Sequence, residues 1–203
     1  MKIICIGRNY ADHAKELNNP VPSEPVFFLK PDTAFLPKKN PFVYPSFSKN
    51  IQHEVEIVIK INRLGKHIEE KFAHKYYNEI GIGVDFTARD LQQQCKEQGM
   101  PWEKAKAFDG SAPTSPFTPI DQFYDINNLD FSIQINGETK QVGNTKDMLF
   151  NFNQIIAYVS QFFTLKIGDL IYTGTPAGVG PIQINDTIAC FIEDKKMLSF
   201  NVK

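Results

Sequence analysis

The chain has 203 residues, with 22 Lys plus Arg against 23 Asp plus Glu and a formal net charge of −1. That length supports one substantial core, and the near-neutral balance gives no basic footprint for nucleic acid or an anionic membrane. Cys5, Cys95 and Cys190 are far apart with no CxxC or Cys/His pattern, which argues against a disulfide framework or zinc knuckle and fits a reducing, cytoplasmic setting.

Residues 2–6 read as a short opening strand ended by Gly7; the apolar run is too short for a signal peptide, and no later run has the length of a bilayer span. Residues 11–17 follow as a short helix that Asn9 or Asp12 can cap, with His13 and Glu16 three apart on one face. Asn18-Asn-Pro-Val-Pro22 ends it. Residues 25–30 are a second strand candidate, and residues 38–48, holding Pro41 and Pro45, are expected to be an extended loop.

Residues 51–61 alternate in period two through a β-branched run, which predicts a strand with Ile51, His53, Val55, Ile57, Ile59 and Ile61 on its buried face. Glu54 and Glu56 then leave the strand on the same side. Residues 69–77 carry a helical pattern. Residues 79–84 read as a buried strand whose glycines signal close backbone neighbours, with Asp85 at its end. Thr87 and Asp90 have capping-box spacing ahead of a helix over 88–98 that stops at Gly99.

A proline-rich stretch with Pro113, Pro116 and Pro119 precedes strict alternation over 129–135 and a hairpin signal at Asn136-Gly137. Residues 148–163 are helical in period, with Ile155, Ile156, Val159 and Phe163 as the apolar stripe. A strand at 170–172, a dense turn over 173–180 and closing strands at 188–192 and 198–202 complete the chain. Strands linked mostly by turns imply a single α+β domain over 1–203, predominantly β, with no linker.

Two carboxylates one residue apart repel each other unless something cationic lies between them. Glu54 and Glu56 are therefore either the edge of a metal site or a solvated outer face. Asp85 is the natural third ligand, and an all-carboxylate set suits Mg²⁺ or Mn²⁺; its alternative is a helix N-terminal acid satisfied by backbone N–H groups. His13 and Glu16 are either a base with its orienting carboxylate or an exposed helix pair. Lys30 and Lys106 lie beside apolar segments and either meet an anion or snorkel. The turn over 173–180 lacks a phosphate-loop signature and is read as carrying backbone donors and Thr175 to a pocket. His53 falls on the core side and is read as a packed, hydrogen-bonded histidine; His67 and His74 receive no role.

Seven motifs in order resemble the fumarylacetoacetate hydrolase family: Gly7-Arg-Asn-Tyr-x-x-His13-x-x-Glu16, Glu24-Pro-x-x-Phe-x-Lys30, His53-Glu-x-Glu56, Asp85-x-Thr-Ala-Arg-Asp-x-Gln92, Lys106-x-Phe108, Asn136-Gly-Glu138 and Thr173-Gly-Thr-Pro-x-Gly-Val-Gly180. They run from about residue 5 to the C-terminus and are most similar to the short acylpyruvase and oxaloacetate decarboxylase branch. Ala107 and Gly110 depart locally from the pattern. The resemblance implies a mixed β-roll, a homodimer, and Mg²⁺ or Mn²⁺ on Glu54, Glu56 and Asp85. It implies a water-activating His13–Glu16 pair on a mobile lid, in one catalytic set with Lys106. Lys30, Arg89, Gln92, Lys106 and Thr175 are placed around the substrate, and Arg8 joins the cations that a 2-oxo acid requires. The activity implied is C–C bond hydrolysis of acylpyruvates, with oxaloacetate decarboxylation as a second activity. The rivals are an isomerase or decarboxylase of 2-oxo-dienedioates and a catalytically silent, metal-stabilised binding domain.

Overall fold

The computed structural model describes residues 1–17, 20–37 and 40–203. Asn18, Asn19, Lys38 and Lys39, where the sequence places a helix stop and the start of a loop, lie outside the described residues. Strand dominates. A six-stranded mixed sheet runs β2 (Val26–Lys30), β1 (Ile3–Gly7), β12 (Leu170–Tyr172), β5 (Val55–Ile61), β6 (Tyr77–Val84), β9 (Thr118–Pro119), with β1 and β12 parallel and the other pairs antiparallel. A four-stranded antiparallel sheet runs β11 (Glu138–Asn144), β10 (Asp130–Ile135), β14 (Thr187–Ile192), β15 (Lys195–Asn201). Two small sheets complete the β framework: β13 (Gly180–Pro181) with β4 (Ile51–His53) and β7 (Thr87–Ala88), and β3 (Phe35–Leu36) with β8 (Ala112–Pro113). No helix among the described residues is long and apolar enough to cross a membrane.

The main core lies between the two large sheets. Val55, Ile57, Ile59 and Ile61 meet Phe131, Ile133, Ile188 and Cys190 there, joined by Ile155, Ile156 and Val159 of helix α5 (Phe152–Phe162). Val58 leaves β5 on the opposite face and packs with Cys5, Leu170 and Tyr172. β5 is thus apolar on both sides, as a central strand must be, and the face carrying Val58 is the one on which Glu56 departs. The glycines of β6 are close-packed as expected: a Cβ on Gly83 would lie 2.5 Å from the Tyr172 hydroxyl oxygen.

Several boundaries differ from the sequence expectation. The strand over 51–61 breaks at Glu54 into β4 and β5, which join different sheets. The helical pattern over 69–77 yields only α2 (Glu70–Ala73), because Tyr77 pairs with Ile61 and begins β6. Helix α5 is capped by Asn151 in a capping box with Gln154, and so starts at Phe152 and not at Met148. Neither Asn9 nor Asp12 caps α1 (Ala11–Glu16). Thr87 does not cap α3 (Arg89–Gln98), since it sits in β7 opposite Gln52. The stop at Gly99 forms as read, with φ 62° and the Met100 N–H closing on Cys95 O at 2.8 Å. Asn136 and Gly137 turn β10 into β11 with φ of 54° and 81°, the left-handed pair that a two-residue hairpin requires.

Candidate metal centre

The strand break positions the acids. Val55 pairs with Val84, and one step further the Asp85 N–H donates to Glu54 O at 2.8 Å. Glu56 lies opposite Gly83 in the same ladder. One carboxylate oxygen from each of Glu54, Glu56 and Asp85 falls within 4.8 Å of the others. All three residues are buried, at 5%, 2% and 1% exposure. The solvated-face reading of the Glu pair is therefore wrong, and Asp85 is not a helix N-terminal acid either, since α3 begins only at Arg89.

Burying three carboxylates requires counter-charge, and three cations supply it unevenly. Lys106 Nζ lies 2.8 Å from both Glu54 Oε2 and Asp85 Oδ2. Arg89 Nη2 lies 2.5 Å from Glu54 Oε1, while its other nitrogens donate to Gln52 and Gln92. Lys30 Nζ lies 2.7 Å from Asp85 Oδ1 and also donates to Ser111 O and Oγ, each at 2.9 Å. Burial opposes ionisation of Glu54, but Lys106 and Arg89 outweigh it and hold that carboxyl below the usual range. Burial likewise opposes charge on Lys106, yet Asp85 and Glu54 raise its pKa. Glu56 has no cation among the described residues and accepts one backbone N–H, from Gly174 at 2.7 Å. Burial, then Asp85 and Glu54, push its carboxyl well above the ordinary value.

That imbalance suits a bound cation. Three converging carboxylates, one of them short of positive charge, form an oxygen-only donor set suited to a hard divalent cation. His53 stays outside the set as expected: it is buried at 2% exposure, and its Nδ1 lies 2.8 Å from Gln141 Oε1.

The acids form the floor of a cleft that Arg8, His13, Arg89, Gln92, Lys106 and Thr175 also line. His13 is buried on α1 with Nδ1 3.2 Å from Glu16 Oε2, and Glu16 Oε1 accepts the Gly178 N–H at 3.0 Å. The exposed-pair reading fails for His13, though Glu16 keeps a partly exposed side chain. Asn9 ties this segment to the 173–175 turn by donating to Thr173 O at 2.8 Å and to Phe150 O at 3.0 Å. A Cβ on Gly174, at φ 104°, would lie 2.6 Å from Asn9 Cβ, so only glycine allows this approach.

Lys30 and Glu16 are the exceptions among the sequence-derived residues, since neither lines the cleft. Glu16 meets it only through His13; the wholly buried ammonium of Lys30 sits behind Asp85, so its anion is a protein carboxylate. Sequence reading also missed contributors. Lys96 and Trp102 line the cleft, and Lys96 was signalled by its spacing, three and four residues being the steps from Arg89 to Gln92 to Lys96 on one helix face. Gln141, 1% exposed, accepts from the Val55 N–H at 3.1 Å and donates to Thr175 Oγ1 at 2.8 Å and Pro176 O at 2.9 Å. It stands in a strand of mostly exposed residues, where no apolar alternation marks it.

Comparisons with known proteins identify the family. The family model described as fumarylacetoacetate (FAA) hydrolase C-terminal matches residues 2–203. Mouse mitochondrial oxaloacetate tautomerase FAHD1 is 45% identical over 201 residues, covering 99% of this chain and 91% of the relative. The mitochondrial oxaloacetate decarboxylase of Dictyostelium discoideum is 44% identical over 192 residues, covering 94% of this chain and 88% of the relative. The crystal structure of fumarylpyruvate hydrolase from Pseudomonas aeruginosa, in complex with Mn²⁺ and pyruvate, superposes with a TM-score of 0.94 at 36% identity, covering 100% of this chain and 89% of that one. With the β-rich fold, the acid triad and a match along almost its whole length, the chain belongs to the fumarylacetoacetate hydrolase family.

Proposed function

We propose that this chain is a Mg²⁺- or Mn²⁺-dependent enzyme of 2-oxo acids whose principal reaction is keto–enol interconversion of oxaloacetate. The observation that carries the reading is the shared cleft: a buried histidine faces three buried carboxylates, with Lys106 bridging two of them. Glu54, Glu56 and Asp85 would hold the ion, which when bound supplies Lewis acidity to the 2-oxo and carboxylate oxygens of a substrate. His13, oriented by Glu16, takes a proton from C3 of the keto acid and delivers it to the 2-oxo oxygen to give the enol; the reverse sequence takes the enol O–H proton and returns it to C3. Arg89 and Lys106 keep positive charge beside the 2-oxo oxygen as its negative charge develops. Gln92 and Thr175 orient the substrate, and Lys30 supports Asp85 from behind.

A second reaction is supported by the His13–Glu16 contact of 3.2 Å. The pair suits removal of a proton from water, whose oxygen then attacks the distal carbonyl of an acylpyruvate; C–C cleavage releases a carboxylic acid and pyruvate. Loss of CO₂ from oxaloacetate draws on the same stabilised charge and needs no attacking water. The homodimer implied by the family is part of this reading and is checked by sedimentation. The test of activity is a panel of enol oxaloacetate, keto oxaloacetate and acetylpyruvate with Mg²⁺, Mn²⁺ and chelator. Chelator-sensitive interconversion of oxaloacetate is expected to be the fastest reaction. Interconversion that persists unchanged in chelator, or no turnover of any member, would overturn the proposal.

A further inference from the structure

Each cation at the floor of the cleft or behind it already has an acid. Lys30 is matched to Asp85, Arg89 to Glu54, and Lys106 to both. Two further cations line the same cleft, Arg8 and Lys96, and neither has an ion-pair partner among the described residues. Arg8 holds its place with φ 59°, a conformation uncommon for a side-chain-bearing residue and usually kept where position matters. Lys96 is exposed, unlike the buried acids, so it stands toward the mouth. Its ammonium lies 5.8 Å from the centre of the Trp102 ring, and Trp102 packs on Phe28 at 6.1 Å. The aromatic wall holds the lysine over the opening. Loss of water at its ammonium, then the charges of Arg89 and Arg8, lower its pKa.

We infer that Lys96, assisted by Arg8, is a specificity residue that binds the second carboxylate of a dicarboxylic 2-oxo acid, the one remote from the metal-binding end. The inference rests on the proposed 2-oxo acid reading and deepens it. A substrate with one carboxylate leaves Lys96 and Arg8 unmatched, whereas one with two carboxylates satisfies both ends of the cleft. The cleft is thereby tuned to dicarboxylates by charge at its mouth, while the floor handles every 2-oxo acid alike.

Calorimetric titration of the Mn²⁺-loaded protein with two stable acids of equal chain length, 2-oxoglutarate and 2-oxopentanoate, tests this without turnover. Wild type is expected to favour 2-oxoglutarate by at least about tenfold, the effect of one charge-assisted contact. Lys96→Met, which keeps the apolar stem on Trp102, is expected to remove about tenfold of 2-oxoglutarate affinity and to leave 2-oxopentanoate binding as it was. Lys96→Arg is expected to restore the preference. An unchanged ratio in Lys96→Met, an equal loss for both acids, or no preference in wild type would overturn the inference. Absence of oxaloacetate turnover by wild type would instead overturn the proposed reaction, and the binding ratio would still decide the role of Lys96.

Discussion

The backbone N–H of Gly174 donates to Glu56 Oε2 across 2.7 Å, and it is the only protein donor to that carboxylate among the described residues. Glu54 and Asp85 each have cations; Glu56 has a buried site, two acidic neighbours and one amide. A carboxyl whose folded pKa lies above its unfolded value contributes stability that is complete below the unfolded pKa and is lost as pH rises through the folded one. The raised pKa of Glu56 therefore predicts that the metal-free protein melts lower at about pH 8 than at about pH 5 on this account. Glu56→Gln is expected to flatten that slope. Mn²⁺ is expected to restore stability at the higher pH in wild type and not in the variant, and melts with chelator and with Mn²⁺ read both effects.

His13 touches Glu16 and none of the three acids at hydrogen-bond distance. Its removal is expected to slow Mn²⁺-dependent turnover of oxaloacetate by about 10²–10⁴-fold, the range for losing a positioned acid–base group. Mn²⁺ affinity of His13→Ala, measured by calorimetry, is expected to stay near that of wild type. A parallel collapse of metal binding would move His13 into the ion's coordination shell and out of the proton-transfer role.

Gln141 joins β11 to β5, to His53 and to the turn bearing Thr175 through one buried amide. Gln141→Leu leaves several buried polar groups without partners, and is expected to cost about 2–4 kcal/mol in a urea unfolding series. Because Thr175 lines the cleft, the variant is also expected to raise KM more than it lowers kcat.

Asp169 gathers the Lys2 N–H at 3.0 Å, the Lys166 N–H at 2.7 Å and the Lys2 ammonium. Burial opposes its charge, but these donors outweigh it and depress its pKa. A depressed carboxyl contributes stability present above the unfolded pKa and lost as pH falls through the folded one. Asp169→Asn is expected to cost about 1–2 kcal/mol at neutral pH. The difference from wild type is expected to shrink below about pH 4.

The residues legible in sequence were those whose chemistry follows from local period. Glu54 and Glu56 stand two apart in a β-branched run, Asp85 ends a glycine-marked strand, and His53 falls on the alternate side; all four stand where those patterns put them. What depends on partners distant in the chain was not legible. Lys30 announces a charge, but that its anion is Asp85 follows from the placing of β2 and β6 in one sheet. Thr87 looked like a cap because Asp90 follows three residues later. Ladder pairing with Gln52 claims its backbone, and the Asp90 carboxylate goes instead to Ser48 Oγ at 2.7 Å and the Lys49 N–H at 3.0 Å. The Asn9 cap on α1 failed similarly, because the Asn9 side-chain oxygen accepts the Phe150 N–H at 2.8 Å.

The interruption at Glu54 has a mechanical consequence. Residues before it belong to the small sheet with β7 and β13, and residues after it belong to the six-stranded sheet. An ion on Glu54 and Glu56 would clasp the seam where one sheet hands the chain to the other. Metal loading is therefore expected to register as slower amide exchange in β4 and β7 as well as in β5, making the ion a tie between two pieces of backbone in addition to its part in the chemistry.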